Sequence, residues 1–159
     1  MSSFLSILYI VLMANVSASF SFVSFNCAGV KNKLPYIAVL CEQSDIIFLQ
    51  ETWLMPHETN ALDNVHPDFN NYSISSVDAG SVLVGRPYGG LTILYRKNLT
   101  VCGNVITFDD NRLVGFEITN ENLVYLFINV YLPFYSEENT PEFMMCIWVS
   151  LRAYCASMR

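Results

Sequence analysis

The segment "IIFLQETWL", from Ile46 to Leu54, places a carboxylate directly after an apolar strand. Ile46–Gln50 is apolar except for its last residue, which is typical of a buried strand. Glu51 follows at the end of that strand. Taken alone, a polar residue at this position is more often a simple strand terminator than a functional residue. A functional interpretation therefore requires other polar groups at the same edge of the sheet.

The chain before this segment supplies a second polar residue at the end of a strand. Phe22–Phe25 is a strand signal that ends at Asn26, and Pro35–Gln43 carries the apolar spacing of a helix packed on a sheet. Strand, helix and strand in this order predict two parallel neighbours. Asn26 and Glu51 should then meet at the carboxyl edge of the sheet, where α/β sheets usually bind ligands.

The rest of the chain predicts an α/β fold with a mixed, mainly antiparallel sheet and outer helices. Pro56–Val65 is predicted as a helix and "HPDFNNY" as a loop. The later strands are joined by short turns and should pair antiparallel. They are predicted at Tyr72–Val77, Gly90–Tyr95, Thr100–Phe108, Leu113–Ile118 and Leu123–Tyr131.

The last of these strands, "LVYLFINVYLP", adds candidates for the same edge. It is apolar almost throughout, yet it closes with Asn129 and Tyr131 before Pro133. A carboxylate, one or two amides and a phenol could hold a hard cation such as Mg²⁺ and an anionic oxygen. Spacing alone leaves strand termination open for each residue, and it names no reaction.

Composition limits the classes of protein that fit. With 159 residues, 53% of them apolar and 14% charged, the chain can form one domain with a sizeable core. The net charge of −6 argues against a protein that holds DNA by electrostatics alone, unless a bound cation offsets it. The five cysteines form no CxxC pair, which favours buried free thiols over a zinc cluster or a disulfide framework.

The first 19 residues form an apolar leader. Phe4–Met13 followed by "ANVSA" is similar to the apolar region and cleavage site of a signal peptide, although the positively charged start is missing. The alternative is a buried or unrelated extension. The apolar run is too short for a stable membrane span unless it consumes the first strand.

Four motifs carry a resemblance to a known family. "SFNCAG", "LQETWL", "GRPYGGLTILYRK" and "FINVYLP" occur in the order found in the endonuclease/exonuclease/phosphatase family. The sequence looks closest to the endonuclease domain of non-LTR retrotransposons. The resemblance covers residues 20–142 and implies a two-sheet α/β sandwich. It also implies phosphodiester cleavage in DNA with Mg²⁺ or Mn²⁺, and a nuclear or cytoplasmic location unless the leader directs secretion.

The resemblance assigns roles to matching positions. Glu51 matches the metal-binding glutamate of the family, and Asn26 the asparagine that assists at the metal and the phosphate. Tyr131 matches the tyrosine that steadies the phosphate. These residue types suit the chemistry, because a cation neutralises charge on the phosphate oxygens while an amide and a phenol donate hydrogen bonds to them.

The sequence departs from the family after Tyr131. The Asp-x-Asn motif expected beyond "NVYLP" and the final Ser-Asp-His motif are missing, and 143–159 reads as a divergent apolar helix, so the sandwich is predicted to be incomplete. His57 and His66 are predicted to be surface or capping residues. We therefore expect an inactive chain, or alternatively a non-catalytic mobile-element fragment or binding module. The missing second sheet would leave an apolar face that a protein segment or partner must cover, and without that cover we expect aggregation.

Two further features have ordinary interpretations. "GRPYGG" lacks the Lys-[Ser/Thr] of a phosphate-binding loop and precedes a strand, so we predict a turn. The cations Arg86, Arg96, Lys97 and Arg112 either face a nucleic-acid backbone or belong to a normal protein surface.

Overall fold

The computed structural model describes residues 7–11, 20–78, 80, 85–99, 101–120 and 123–132. For 7–11, 120 and 123 only the backbone is described. The predicted helix at 143–159 lies outside these residues, as does the proposed cleavage site in the leader. The division into leader, domain and C-terminal helix stays a prediction.

The first sheet contains the predicted parallel pair of strands. Strands β2 and β3 are parallel, with Asn26 opposite Gln50, and helix α1 connects them. Pro35 lies in the first turn of that helix. The other neighbours are antiparallel, and the order is β2-β3-β5-β4. The elements are β2 (Phe22–Asn26), α1 (Leu34–Gln43), β3 (Ile46–Gln50), β4 (Phe69–Ile74) and β5 (Leu91–Arg96).

The second sheet is antiparallel throughout. Its order is β1-β8-β7-β6, so β1, from the predicted leader, pairs with the long strand β8. The strands are β1 (Ile7–Val11), β6 (Cys102–Thr107), β7 (Leu113–Asn120) and β8 (Leu123–Val130). Together with the first sheet it forms the predicted two-sheet α/β sandwich.

Strand β3 is buried on both faces because it lies in the middle layer. Ile46 and Phe48 pack between the sheets against residues of β7 and β8, whereas Ile47 and Leu49 pack under α1. A strand covered on both faces reads as a continuous apolar run, as it does here. The expectation that no second sheet covers this face is wrong. Strands β6, β7 and β8 belong to a second sheet, which packs against this face of the first sheet.

Two local predictions are also wrong. Pro56–Val65 is not a helix: Pro56–Glu58 forms one 3-10 turn, and turns continue to residue 64. The segment contains Asn60, Asp63 and Asn64, whose side chains compete for backbone hydrogen bonds and favour turns. Strand β4 begins at Phe69, inside the predicted loop, because the buried Phe69 ring anchors it opposite Arg96. Among the described residues no helix is long and apolar enough to cross a membrane.

Candidate active site

Asn26 and Glu51 meet at the carboxyl ends of β2 and β3. In the parallel register, Asn26 lies opposite Gln50, the last residue of β3. Glu51 directly follows Gln50 in the chain. Asn26 Nδ2 donates a hydrogen bond of 2.9 Å to Glu51 Oε1, and Asn26 Oδ1 accepts one of 3.1 Å from the Ala28 N–H. The glutamate is only 4% exposed. The sequence prediction that these two residues come together is confirmed.

The backbone around Glu51 is strained. Glu51, Trp53 and Ala28 have φ values of 54°, 55° and 45°, in the left-handed region that non-glycine residues rarely adopt. Hydrogen bonds hold this conformation: Gly29 N–H donates to Glu51 O at 2.9 Å, and Trp53 N–H donates to Gly89 O at 3.0 Å. Strain that the surroundings maintain in this way is typical of functional sites.

Tyr131 reaches this edge from the other sheet. It directly follows β8, and its backbone N–H donates to Arg112 O at 3.0 Å. Its ring lies against Gly89, where an added Cβ would be 2.9 Å from Tyr131 Cε1. The expectation that Asn26, Glu51 and Tyr131 close strands of a single sheet is therefore wrong. The site lies between the two sheets, at one end of the sandwich.

The environment of the Tyr131 phenol keeps it protonated. Burial raises the pKa of Tyr131 above its usual value of 10.0, and the negative charge of Glu51 and nearby Tyr88 raise that pKa further. The positive charge of Arg86 lowers it in part. At neutral pH the phenol therefore keeps its proton and can donate a hydrogen bond to an anionic oxygen.

Asn129, the other candidate on β8, lies behind the site and joins the two sheets. It is 0% exposed. Its Nδ2 donates to Leu49 O at 3.0 Å and to Thr92 O at 3.1 Å, and its Oδ1 accepts from Gln50 Nε2 at 2.6 Å. Because these bonds use the whole amide, Asn129 supports the site rather than facing a ligand. The sequence pattern that could have indicated this supporting role of Asn129 is an amide within an otherwise apolar strand.

The three cysteines that the structure describes are free thiols. Cys27 and Cys41 are buried, as predicted, but Cys102 is exposed, which that prediction missed. Burial, followed by the charge of Glu51, raises the pKa of the Cys27 thiol to about 12, so this thiol is protonated at neutral pH. Among the described residues no three His, Cys, Asp or Glu side chains form a metal-binding group.

The two histidines have other partners. His66 Nε2 lies 3.0 Å from Glu42 Oε1, and His66 Nδ1 accepts from the Asp68 N–H at 3.2 Å. His57 is exposed, and its Nε2 is 3.9 Å from Glu58 Oε1. Both positions agree with the surface and capping roles predicted from the sequence.

Sequence reasoning missed a contact beside Glu51. The Arg86 guanidinium carbon lies 4.4 Å from the centroid of the Trp53 ring. Arg86 belongs to "GRPYGG", whose residues 85–90 form the predicted turn before β5. Trp53 stands two residues after Glu51 in the motif "ETW". This proximity to the proposed metal ligand is the sequence signal that could have indicated Trp53.

The model of the endonuclease/exonuclease/phosphatase family matches residues 23–156, which include all of these site residues. The chain belongs to this family. A search of curated proteins found no significant match.

Solved structures share the fold of this family member. One is a 3' phosphatase from Neisseria bound to a product DNA hairpin, with a TM-score of 0.52 and 16% identity over 88% of this chain and 52% of that one. Another is a 3'-5' exonuclease from Neisseria meningitidis, with a TM-score of 0.53 and 17% identity over 87% and 52%. The chain thus spans about half the length of these structures.

Proposed function

We propose that this chain carries part of a divalent-metal-dependent site that acts on phosphodiesters of nucleic acid. The observation that carries the proposal is the Glu51 carboxylate, which is buried at the end of the sandwich and oriented by Asn26. Membership of the endonuclease/exonuclease/phosphatase family supports the reaction class.

The donor atoms suit Mg²⁺ or Mn²⁺. No Lys or Arg of the described residues forms an ion pair with Glu51, so its buried negative charge lacks a cationic partner within that part of the chain. Burying an unpaired carboxylate is costly, and a bound cation would offset that cost. Mg²⁺ needs only one or two carboxylates when waters and substrate phosphates complete its shell. Glu51, whose Oε1 accepts a hydrogen bond from Asn26 Nδ2, fits this requirement.

Each site residue has a role in this proposal. Glu51 would hold the metal. When bound, the metal would neutralise negative charge on the phosphate oxygens. Asn26 fixes the orientation of the carboxylate through the 2.9 Å hydrogen bond and assists at the phosphate. Tyr131 donates its phenolic proton to a phosphate oxygen from the facing sheet, which fixes the position of that oxygen.

DNA is the substrate that we propose, since one of the similar structures is bound to a DNA hairpin. The test is fluorescence anisotropy of a labelled DNA hairpin with Mg²⁺ and with EDTA. We expect Mg²⁺ to strengthen binding by the wild-type chain, because the cation removes the repulsion between Glu51 and the phosphates. The isosteric variant Glu51→Gln should abolish this Mg²⁺ dependence. If Mg²⁺ strengthens DNA binding equally in wild type and in Glu51→Gln, Glu51 is not the metal ligand.

Two motifs of the family do not occur within these 159 residues: an Asp-x-Asn motif after Tyr131 and a Ser-Asp-His motif. These motifs would supply the activating aspartate and the histidine of the family. We therefore expect the purified chain to nick neither supercoiled plasmid nor abasic-site DNA in Mg²⁺. Nicking that disappears in Glu51→Ala would show that the residues present suffice for catalysis.

Within the family, we place the chain with the endonuclease domains of non-LTR retrotransposons. The support is the order of "SFNCAG", "LQETWL", "GRPYGGLTILYRK" and "FINVYLP". A reading frame for a reverse transcriptase on the same transcript is the expected finding. A transcript without one would contradict this placement.

A further inference from the structure

The Trp53 indole lies against a glycine and an arginine. A Cβ added to Gly29 would lie 2.7 Å from Trp53 Cε3, so only glycine allows the backbone this close to the ring. The Arg86 guanidinium carbon also lies over this ring, 4.4 Å from its centroid. The ring is therefore fixed, and it provides a rigid surface for the exposed Arg86 side chain.

Arg86 differs from the other arginines that the structure describes. Arg96 pairs with Asp45 at 3.2 Å and Arg112 pairs with Asp110 at 2.6 Å. In the described part of the chain, no carboxylate lies within ion-pair distance of Arg86. In a protein with a net charge of −6, an arginine held against an aromatic ring without a carboxylate keeps its positive charge available for an external anion.

The position of this arginine links it to the proposed metal site. Its turn packs between the Trp53 backbone and the Tyr131 ring: Gly89 O accepts from the Trp53 N–H at 3.0 Å, and Gly89 also lies against Tyr131. Trp53 itself follows Glu51 by two positions in the chain. The guanidinium thus lies on the same end of the sandwich as Glu51 and Tyr131.

A guanidinium held against an aromatic ring can still bind phosphate. It carries five N–H donors, so a cation–π contact with one ring leaves donors available for an external anion. The planar fork matches two phosphate oxygens, and a side chain that is already held loses less conformational entropy on binding. We propose that Arg86 binds a backbone phosphate of the nucleic acid, next to the phosphodiester that lies at Glu51. This assignment rests on the proposed function and adds a substrate-binding residue to it.

The test measures binding of a labelled DNA hairpin as a function of KCl concentration in EDTA. Arg86→Gln is compared with wild type and with Lys97→Gln, which removes the same charge. Lys97 is exposed and directly follows β5, at the strand end opposite Leu91, and its Nζ donates a hydrogen bond to Pro67 O. Arg86→Lys keeps the charge but removes the planar fork.

We expect Arg86→Gln to weaken binding by about tenfold, the size of one charge-assisted hydrogen-bonded contact. It should also reduce the slope of log K against log salt by about 0.9, the value for one phosphate contact. Lys97→Gln should match wild type, and Arg86→Lys should fall between wild type and Arg86→Gln. Equal affinities and slopes for Arg86→Gln and Lys97→Gln would overturn the assignment but leave the Glu51 site intact. A wild-type chain that binds no DNA, with or without Mg²⁺, would overturn both proposals.

Discussion

Replacing Asn129 by alanine removes the hydrogen bonds that join the two sheets directly behind the site. The amide makes three of them, to Leu49 O, Thr92 O and Gln50 Nε2. A net contribution of about 1 kcal/mol for each gives a loss of about 3 kcal/mol in the free energy of unfolding. Gln50 Nε2 keeps Ser24 Oγ at 3.1 Å and Phe48 O at 3.3 Å as acceptors, so no full desolvation penalty is added for that group.

Urea denaturation monitored by circular dichroism measures this loss. For a domain of this size, the loss corresponds to a decrease of about 6–12 °C in Tm. The control is Asn104→Ala, an exposed residue on the edge strand β6, which should change stability by less than about 0.5 kcal/mol. The urea dependence should stay the same in both variants, since neither alters the surface exposed on unfolding. A midpoint for Asn129→Ala equal to that of the control would refute the role of this amide in joining the sheets.

Further predictions concern the Trp53 contact and the buried thiols. Gly29→Ala should cost at least about 1 kcal/mol more stability than Gly85→Ala, because both positions have φ near 98° but only the first would collide with Trp53. Equal urea midpoints for the two variants would contradict the close packing. Burial raises the pKa of Cys27 to about 12 and that of Cys41 to about 11, from 9.0. Above a pH of about 9, the thiols of the unfolded chain therefore lose their protons while those of the folded chain keep them. The free energy of unfolding should then decrease as pH rises, by at most about 1.4 kcal/mol per pH unit for each thiol. Cys27→Ala should make this decrease shallower, and an unchanged pH dependence would contradict it.

The meeting of Asn26 and Glu51 could be predicted from the sequence because a strand-helix-strand unit has one favoured geometry. Parallel strands connected by a helix end at the same edge. The predicted bounds of β3 therefore determined the position of Glu51. The helix α1 and the two-sheet sandwich are also as predicted, the latter through the family resemblance.

The position of Tyr131 in a second sheet could not be derived from the pattern of the strands. Strands joined by short turns can extend one sheet or fold over it, and β8 is apolar on both faces in either arrangement. The Trp53–Arg86 contact was also missed. It depends on left-handed φ values at Glu51 and Trp53, and nothing in a non-glycine side chain signals that conformation.

Direct titration with Mn²⁺, followed by electron paramagnetic resonance of the free ion, tests the central claim that Glu51 is a metal ligand. The comparison is between wild type, Glu51→Gln and Glu42→Gln, an exposed carboxylate near His66 that controls for the change in net charge. We predict that wild type and Glu42→Gln bind Mn²⁺ with the same affinity, and that Glu51→Gln binds it at least about tenfold more weakly. Equal Mn²⁺ affinity in Glu51→Gln and wild type would contradict the account.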